Sequence, residues 1–362
     1  MTDRTRLGIR ILKAPEHALT SDDRVLVGSG RRWSHRYSRR TLTVVVVLTA
    51  ALVGLFIASL LLGDFTVTVP DLVNTLAGRP PSRLAEFFVM ERRMPRALVA
   101  MTVGAALAVA GAIFQNLTRN PLASPDILGV SNGASVGAVI VLVVLRGSLE
   151  QAAVGAAIGA IAAAALIMVL TIRTGLHGVQ LVLVGVAVAA IGTAIVDYIL
   201  TQVFVASAVT AQTWLIGSLQ GATWSDLAPV GLVLMLVTAV LVAVGPGTRI
   251  ADLGDATATS LGVSITRQRW VLVTAATVLV AAGVAVGGPI AFVALVAPHI
   301  ARSLCRQSSF VASALTGAVL LASADLIALY AFGVPIPVGA VTISVGGAFF
   351  LWILVREGGR RG

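Results

Sequence analysis

Long, continuous apolar segments are the feature that most constrains what this chain can fold into. Several of them reach the roughly 20 residues that an α-helix needs to cross a bilayer. Because they are continuous rather than alternating, they are typical of membrane helices and not of membrane β-strands. Only 12% of the 362 residues are charged and 57% are hydrophobic, whereas about 25% are charged in soluble domains. We therefore predict an all-α polytopic membrane protein.

Ten segments are predicted to span the membrane as helices. Two of them, 127–145 and 290–304, are short or interrupted by glycine and proline. Dense glycine and alanine within the spans, as in GAAIGAIAAAA, permit close packing of neighbouring helices. The predicted spans are 41–62, 95–117, 127–145, 152–172, 181–204, 227–244, 270–286, 290–304, 311–330 and 338–355.

The basic residues between the spans predict the orientation in the cell membrane. If residues 1–40 are cytosolic, 20 of the 26 lysines and arginines lie inside and 6 outside, as the enrichment of basic residues in cytosolic loops requires. Both termini are then cytosolic. Residues 1–40 contain no cleavable apolar segment and are predicted to be a flexible cytosolic tail in front of a ten-helix domain over 41–362. Apart from Arg146, the outside basic residues form one cluster: Arg79, Arg83, Arg92, Arg93 and Arg96.

Several functions are excluded by the residues that the chain lacks. Its net charge of +10 is explained by orientation among membrane lipids, and nucleic acid is not a predicted partner because no basic groove sequence with interleaved aromatics is present. A P-loop requires a lysine in a glycine-rich turn, but Lys13, the only lysine, lies in RILKAP. No HExxH, CxxC or GxSxG motif occurs either. We predict no enzymatic site and no bound metal or cofactor.

Three polar side chains leave two other functions open. Asp197 and Asp325 are the carboxylates well inside predicted spans, where ionisable groups are usually functional, so a proton-coupled carrier could use them. Both fall toward the outer third of their spans, where water can reach them, which favours structural or helix-capping roles. An intramembrane enzyme built on His299 and a carboxylate is the weakest alternative, since a single membrane histidine beside proline is usually a structural hydrogen-bonding group.

The segment FQNLTRNPLASPDILGVSNGASVG, residues 114–137, interrupts the apolar pattern. Pro121 ends one helix because it lacks an N–H and disfavours helical geometry at Asn120, and Pro125 with Asp126 suits the start of the next. Such a break at membrane depth is tolerated where the backbone faces protein or a water-filled path. We expect a gate or a pore wall here.

Four blocks of the sequence resemble the FecCD-type permeases, the membrane subunits of ABC importers for ferric siderophores, haem and cobalamin. RRMPRALVAMTVGAALAVAGAIFQNLTRNPLASPDILGVSNGASVGAV is similar to their signature R-x-P-R…GAxLAxxGxxxQ…NPLAxPxxLGxxxGAxxG. ATATSLGVSITRQRW, GGPIAFVALVAPHIARSL and IPVGAVTISVGGAFFLWIL resemble three further family blocks, in order and at the expected spacing. The resemblance covers about residues 41–356.

The resemblance implies a type II ABC importer permease fold with ten helices per subunit. It implies a second permease subunit, identical or different, and two separate ATPase subunits that carry the ATP and Mg²⁺. It also implies an extracytoplasmic binding protein that delivers the cargo. A ferric siderophore or related iron chelate is the expected cargo, because it is the commonest in the family, and cobalamin and haem are the alternatives.

The resemblance also implies roles for particular residues. Arg93 and Arg96 match arginines that meet carboxylates of the binding protein, whereas Leu329 stands where many relatives carry another such arginine. The cytosolic gate is expected at two places: Asn120 with Leu122, and the segment from His177 to Gln180.

A coupling helix, the short cytosolic helix that would sit in a groove of the ATPase, is expected at about residues 255–265. Its motif positions are Ala258, Leu261 and Gly262.

Overall fold

The computed structural model describes residues 10–13, 23–27, 34–171, 178–251 and 254–358. Before the membrane domain, three short strands form an antiparallel sheet in the order β1 (Arg10–Lys13), β2 (Asp23–Val27) and β3 (Ser34–Ser38). Arg10 lies opposite Val27, and Asp23 lies opposite Ser38. The sequence analysis did not predict these strands. The flexibility and the cytosolic location of residues 1–40 stay predictions.

Fourteen α-helices follow in the described residues. The apolar segments form helices because a helix satisfies its backbone hydrogen bonds internally. The helices are α1 (Arg39–Leu61), α2 (Val69–Leu76), α3 (Arg83–Glu86), α4 (Met94–Thr118), α5 (Val130–Val139), α6 (Leu149–Thr171), α7 (Gly178–Thr201), α8 (Val205–Ile216), α9 (Trp224–Ala251), α10 (Asp255–Ser260), α11 (Ile265–Gly287), α12 (Val293–Cys305), α13 (Phe310–Tyr330) and α14 (Val338–Gly358). Two π-helical segments, Phe87–Arg93 and Ile140–Val144, join α3 to α4 and extend α5.

The ten predicted spans correspond to ten apolar helices in the described residues. Seven are long enough and apolar enough to cross a membrane, and three shorter apolar helices complete the set: Val130–Val144, Val293–Cys305 and Val338–Ile353. Two of the three shorter helices are the segments that the sequence marked as interrupted. Most boundaries lie within about four residues of the prediction. The second span is longer, because helical structure begins at Arg83 rather than at residue 95.

Helix α4 lies at the centre of the bundle, where α11, α12 and α13 pack around it. The apolar window of the span that contains it is 89% buried, against 6% for α1 and 17% for α7 and α9. Glycine permits these close contacts: a Cβ at Gly104 would lie 2.4 Å from the Gly317 carbonyl oxygen, and one at Gly111 would lie 1.7 Å from the Ala294 carbonyl oxygen. The same device joins α5 to α6 through Gly133, Gly137, Gly155 and Gly159.

We name the two ends of the bundle after residues of α4. The Arg96 end holds Arg96, the end of α1 and the start of α9. The Arg119 end holds Arg119, which follows α4. The guanidinium group of Arg40 donates to the Leu304 carbonyl, which places the start of α1 at the Arg119 end. Helix α14 begins at the Arg96 end, where Ile336 donates to the Ala328 carbonyl. The chain therefore enters and leaves the membrane domain at the same end, as an even number of spans requires.

Between α1 and α4, helix α2 lies outside the spans. Thr68 and Asp71 form a reciprocal cap at its start, and the hydrogen bonds from Thr68 lower the pKa of the Asp71 carboxyl. Leu72 is buried on one face, while Val69 and Val73 are exposed on the other. Helix α2 therefore lies across the Arg96 end with one side packed against the bundle.

Candidate functional site

A cavity of about 180 Å³, lined by both charged and apolar side chains, opens at the Arg96 end. Three arginines of the predicted outside cluster line it, together with Asp325 and Tyr330. The guanidinium group of Arg92 lies 5.4 Å from the centre of the Phe87 ring, and its side chain is exposed. Leu329, at the position where the family resemblance led us to expect an arginine, lines the same cavity. The cavity thus brings together Arg92, Arg93 and Arg96, with one carboxylate among them.

Arg93 and Arg96 are each engaged inside the protein. Arg93 donates to three backbone carbonyls at and just beyond the end of α1, those of Leu60, Leu61 and Phe65. Its guanidinium fills space that only glycine leaves open, since a Cβ at Gly63 would lie 2.4 Å from it. Arg96 pairs with Asp325 through two hydrogen bonds. Because internal partners hold both groups, Arg92 is the arginine of this cavity with the most freedom to meet another molecule.

The segment between α4 and α5, residues 119–129, is named the gate segment below. It begins with Arg119 in a left-handed conformation (φ 51°), which ends α4. The side-chain oxygen of Asn120 then accepts a hydrogen bond from the Leu122 N–H at 2.9 Å. The amide of Asn120 therefore shapes the turn itself, and Leu122, half-buried, is held in place by that turn.

Asp126 anchors the other half of the gate segment, and the sequence analysis gave it no functional role. Its carboxylate accepts from the Ser131 hydroxyl at 2.6 Å and from the Phe292 N–H at 3.3 Å. Phe292, itself left-handed at φ 68°, precedes the first turn of α12. Asp126 thus satisfies backbone and side-chain donors at the start of two short helices. The sequence could have indicated this role, because the Asp126 carboxylate follows Pro125 in a polar break between two apolar spans.

The second predicted part of the gate is only partly described. His177 lies outside the described residues, whereas Gln180 is exposed in the first turn of α7. The structure therefore places Asn120 and Leu122 on the gate segment and Gln180 on α7, and their role as a gate stays a prediction.

The segment predicted as the coupling helix contains the short helix α10, followed by a turn at Leu261 and Gly262. Its contact with an ATPase stays a prediction. Ala258 is fully buried against the protein, whereas Leu261 is 60% exposed. Gly262 is exposed, with φ at +84° and nothing within 4 Å of a Cβ placed there. Of the three motif positions, Leu261 and Gly262 therefore face outward, and Ala258 fixes the helix to its own bundle.

The structure also describes the side chains on which the two alternative functions, a proton-coupled carrier and an intramembrane enzyme, would depend. Asp325 is 7% exposed in its pair with Arg96, while Asp197 is exposed near the end of α7. The His299 ring packs edge-on against Phe349 with 5.7 Å between ring centres. In the part of the chain that the structure describes, no three His, Cys, Asp or Glu side chains lie close enough together to hold a metal ion. That the chain binds no cofactor stays a prediction.

Ten apolar helices, with a polar break between α4 and α5 that contacts the start of the short helix α12, define a multi-pass membrane protein. The model of the FecCD transport family matches residues 48–356. The chain belongs to this family, whose members are transport permease subunits.

Curated relatives align with this chain over most of their own length. The ferric enterobactin transport system permease protein FepG of Escherichia coli K12 is 39% identical over 325 residues, which cover 88% of this chain and 98% of FepG. The vitamin B12 import system permease protein BtuC of Vibrio cholerae is 40% identical over 282 residues, covering 76% of this chain and 85% of BtuC. A solved structure described as an inward-facing metal-chelate type ABC transporter has a TM-score of 0.78 and 26% identity, and covers 87% of this chain and 99% of its own. The predicted permease fold is confirmed.

Proposed function

We propose that this chain is the permease subunit of an ABC importer that moves a ferric siderophore into the cytosol. The observation that carries the proposal is the match to FepG over 98% of that protein, which is named for ferric enterobactin transport. Relatives named for ferric citrate support an iron chelate as the cargo class. The BtuC match favours cobalamin as the second candidate.

The energy for transport comes from other chains in this proposal. The sequence offers no glycine-rich lysine turn for ATP phosphates, and the family's members are permease subunits. We infer a complex of two permease subunits, two ATPase subunits and an extracytoplasmic binding protein. The Arg119 end faces the cytosol and the Arg96 end faces outward, because most basic residues then lie inside. Both termini are then cytosolic, since α1 begins and α14 ends at the Arg119 end.

The Arg96 end is the docking surface for the binding protein. Its exposed basic cavity would meet carboxylates, and charged groups at a rim steer association and fix register more than they add affinity. Arg93 and Arg96 shape this cavity from inside, and Arg92 presents its charge to the partner.

The Arg119 end holds the gate and the contact with the ATPase. Leu261 and Gly262 project from α10 and would enter a groove of the ATPase subunit. Asn120 and Leu122, together with Gln180 and His177, would close the path, because an apolar constriction with few amides excludes water.

Uptake in a strain that lacks this gene tests the proposal. Cells with and without the restored gene are given labelled ferric siderophore, haem or cobalamin in turn. We expect gene-dependent uptake of the ferric siderophore that continues when the proton gradient is collapsed and stops when ATP is depleted. Gene-dependent uptake of cobalamin alone would favour the second candidate, and uptake that stops with the proton gradient would favour a carrier that uses Asp197.

A further inference from the structure

Arg119 connects the gate segment to the helix that we propose couples to the ATPase. Its backbone ends α4, and its side chain turns toward the junction of α9 and α10. One guanidinium nitrogen donates to the Ala251 carbonyl at 3.2 Å and lies 3.6 Å from the Asp255 carboxylate. The same side chain therefore contacts the last residue of α9 and the first residue of α10.

Asp255 is held from a second side. Arg269, in the first turns of α11, donates to its other carboxylate oxygen at 2.7 Å. Asp255 thus lies between two arginines, one that leads to the gate segment and one that leads to α11. A movement of α10 must shift this carboxylate, and Arg119 then either follows it or loses the contact.

The contact is too exposed to act mainly through stability. The side chains of Arg119 and Asp255 are 64% and 46% exposed, and exposed ion pairs contribute little to folding. The position of Arg119 matters more than the strength of its ion pair. The next residue, Asn120, accepts a hydrogen bond from the Leu122 N–H and closes the turn of the gate segment. The far half of the gate segment is held to α12 through Asp126. The segment is thus tethered at both ends.

We propose that Arg119 is a positioning residue that transmits displacement of α10 to the gate segment. The proposal rests on the proposed function, because α10 moves only if an ATPase subunit pulls on it. Switching elements of this kind move as rigid bodies and need a defined contact to pass the movement on. Arg119 supplies that contact between α10 and the gate segment.

The test measures cargo uptake per ATP hydrolysed by the complete complex in proteoliposomes, with labelled ferric siderophore and its binding protein. Arg119→Asn removes the charge but keeps a residue that tolerates the left-handed conformation, and Arg119→Lys keeps the charge. The matched control is Arg306→Asn, because Arg306 is also exposed and ends α12 in a left-handed conformation (φ 56°). We expect Arg119→Asn to hydrolyse ATP but to lower uptake per ATP by about fivefold or more.

The lysine variant and Arg306→Asn should stay close to the unsubstituted complex. Unchanged uptake per ATP in Arg119→Asn, or an equal loss in Arg306→Asn, would overturn the proposal. If Arg119→Asn does not co-purify with the ATPase subunits, Asp255→Ala removes the carboxylate instead, and the same change in uptake per ATP is expected. Failure of the unsubstituted complex to couple uptake to ATP would count against the proposed function and not against Arg119.

Discussion

Arg96 on α4 and Asp325 on α13 form a two-point ion pair inside the membrane domain. The Nε atom of Arg96 lies 2.9 Å from one carboxylate oxygen, and an Nη atom lies 2.8 Å from the other. The side chains are 16% and 7% exposed. The pair explains how two charges are tolerated between apolar helices, and it favours a structural role for Asp325 over proton coupling.

Removing one partner of this pair should cost far more than removing both. We expect Asp325→Ala to lower the free energy of unfolding by about 3–5 kcal/mol, because Arg96 is left charged and unpaired while only 16% of its side chain is exposed. Replacing both by apolar residues, Arg96→Met with Asp325→Leu, should restore most of the loss. Thermal unfolding in detergent measures the stability of the single and the double variant. Additive losses in the double variant would show that the two side chains do not act as a pair.

Close packing between α4 and α12 gives a second prediction. We expect Gly111→Ala to lower the unfolding temperature and the yield of folded protein, because its Cβ would lie 1.7 Å from the Ala294 carbonyl oxygen. The control is Gly54→Ala in α1, where nothing lies within 4 Å of the new Cβ. That change should leave the unfolding temperature equal or slightly raised, since alanine favours helix over glycine. Equal effects of the two substitutions would contradict the helix contact.

Asp126 gives a third prediction, which separates its hydrogen bonds from its charge. Asp126→Ala should destabilise the protein by about 1–3 kcal/mol, because the Phe292 N–H loses its acceptor. Asp126→Asn should retain most of the stability, since its oxygen can accept from Phe292 while its NH₂ donates to the Ser131 hydroxyl. Thermal unfolding of the two variants gives the comparison. An asparagine variant as unstable as the alanine variant would mean that the negative charge is what α12 requires.

The ten spans could be predicted from the sequence because each is a continuous apolar run, and their approximate ends followed from proline, glycine and arginine. The pairing of Arg96 with Asp325 could not, because 229 positions separate them and no local pattern records which helices become neighbours. Family resemblance drew attention to Arg93 and Arg96 as docking groups, yet the internal partners of both depend on packing. The roles of Arg119 and Asp126 arise from contacts across the bundle that periodicity does not encode.

Docking of the binding protein gives a fourth prediction. Arg92→Glu should weaken association with the binding protein, with a slower on-rate that loses its salt dependence, while the permease keeps its unfolding temperature. Arg93→Glu should instead lower that temperature, because Arg93 closes the end of α1 through three carbonyls. Binding kinetics and thermal unfolding of both variants separate the two roles. Normal association of the Arg92 variant at low salt would remove Arg92 from the docking surface.

ATP-dependent uptake by purified components tests the central claim most directly. Proteoliposomes contain this chain with or without its ATPase subunits, and the binding protein loaded with labelled ferric siderophore is added outside. We predict accumulation against a gradient only when the ATPase subunits and ATP are both present, because this chain supplies the path and not the energy. Uphill accumulation by this chain in the absence of any ATPase subunit would contradict the account.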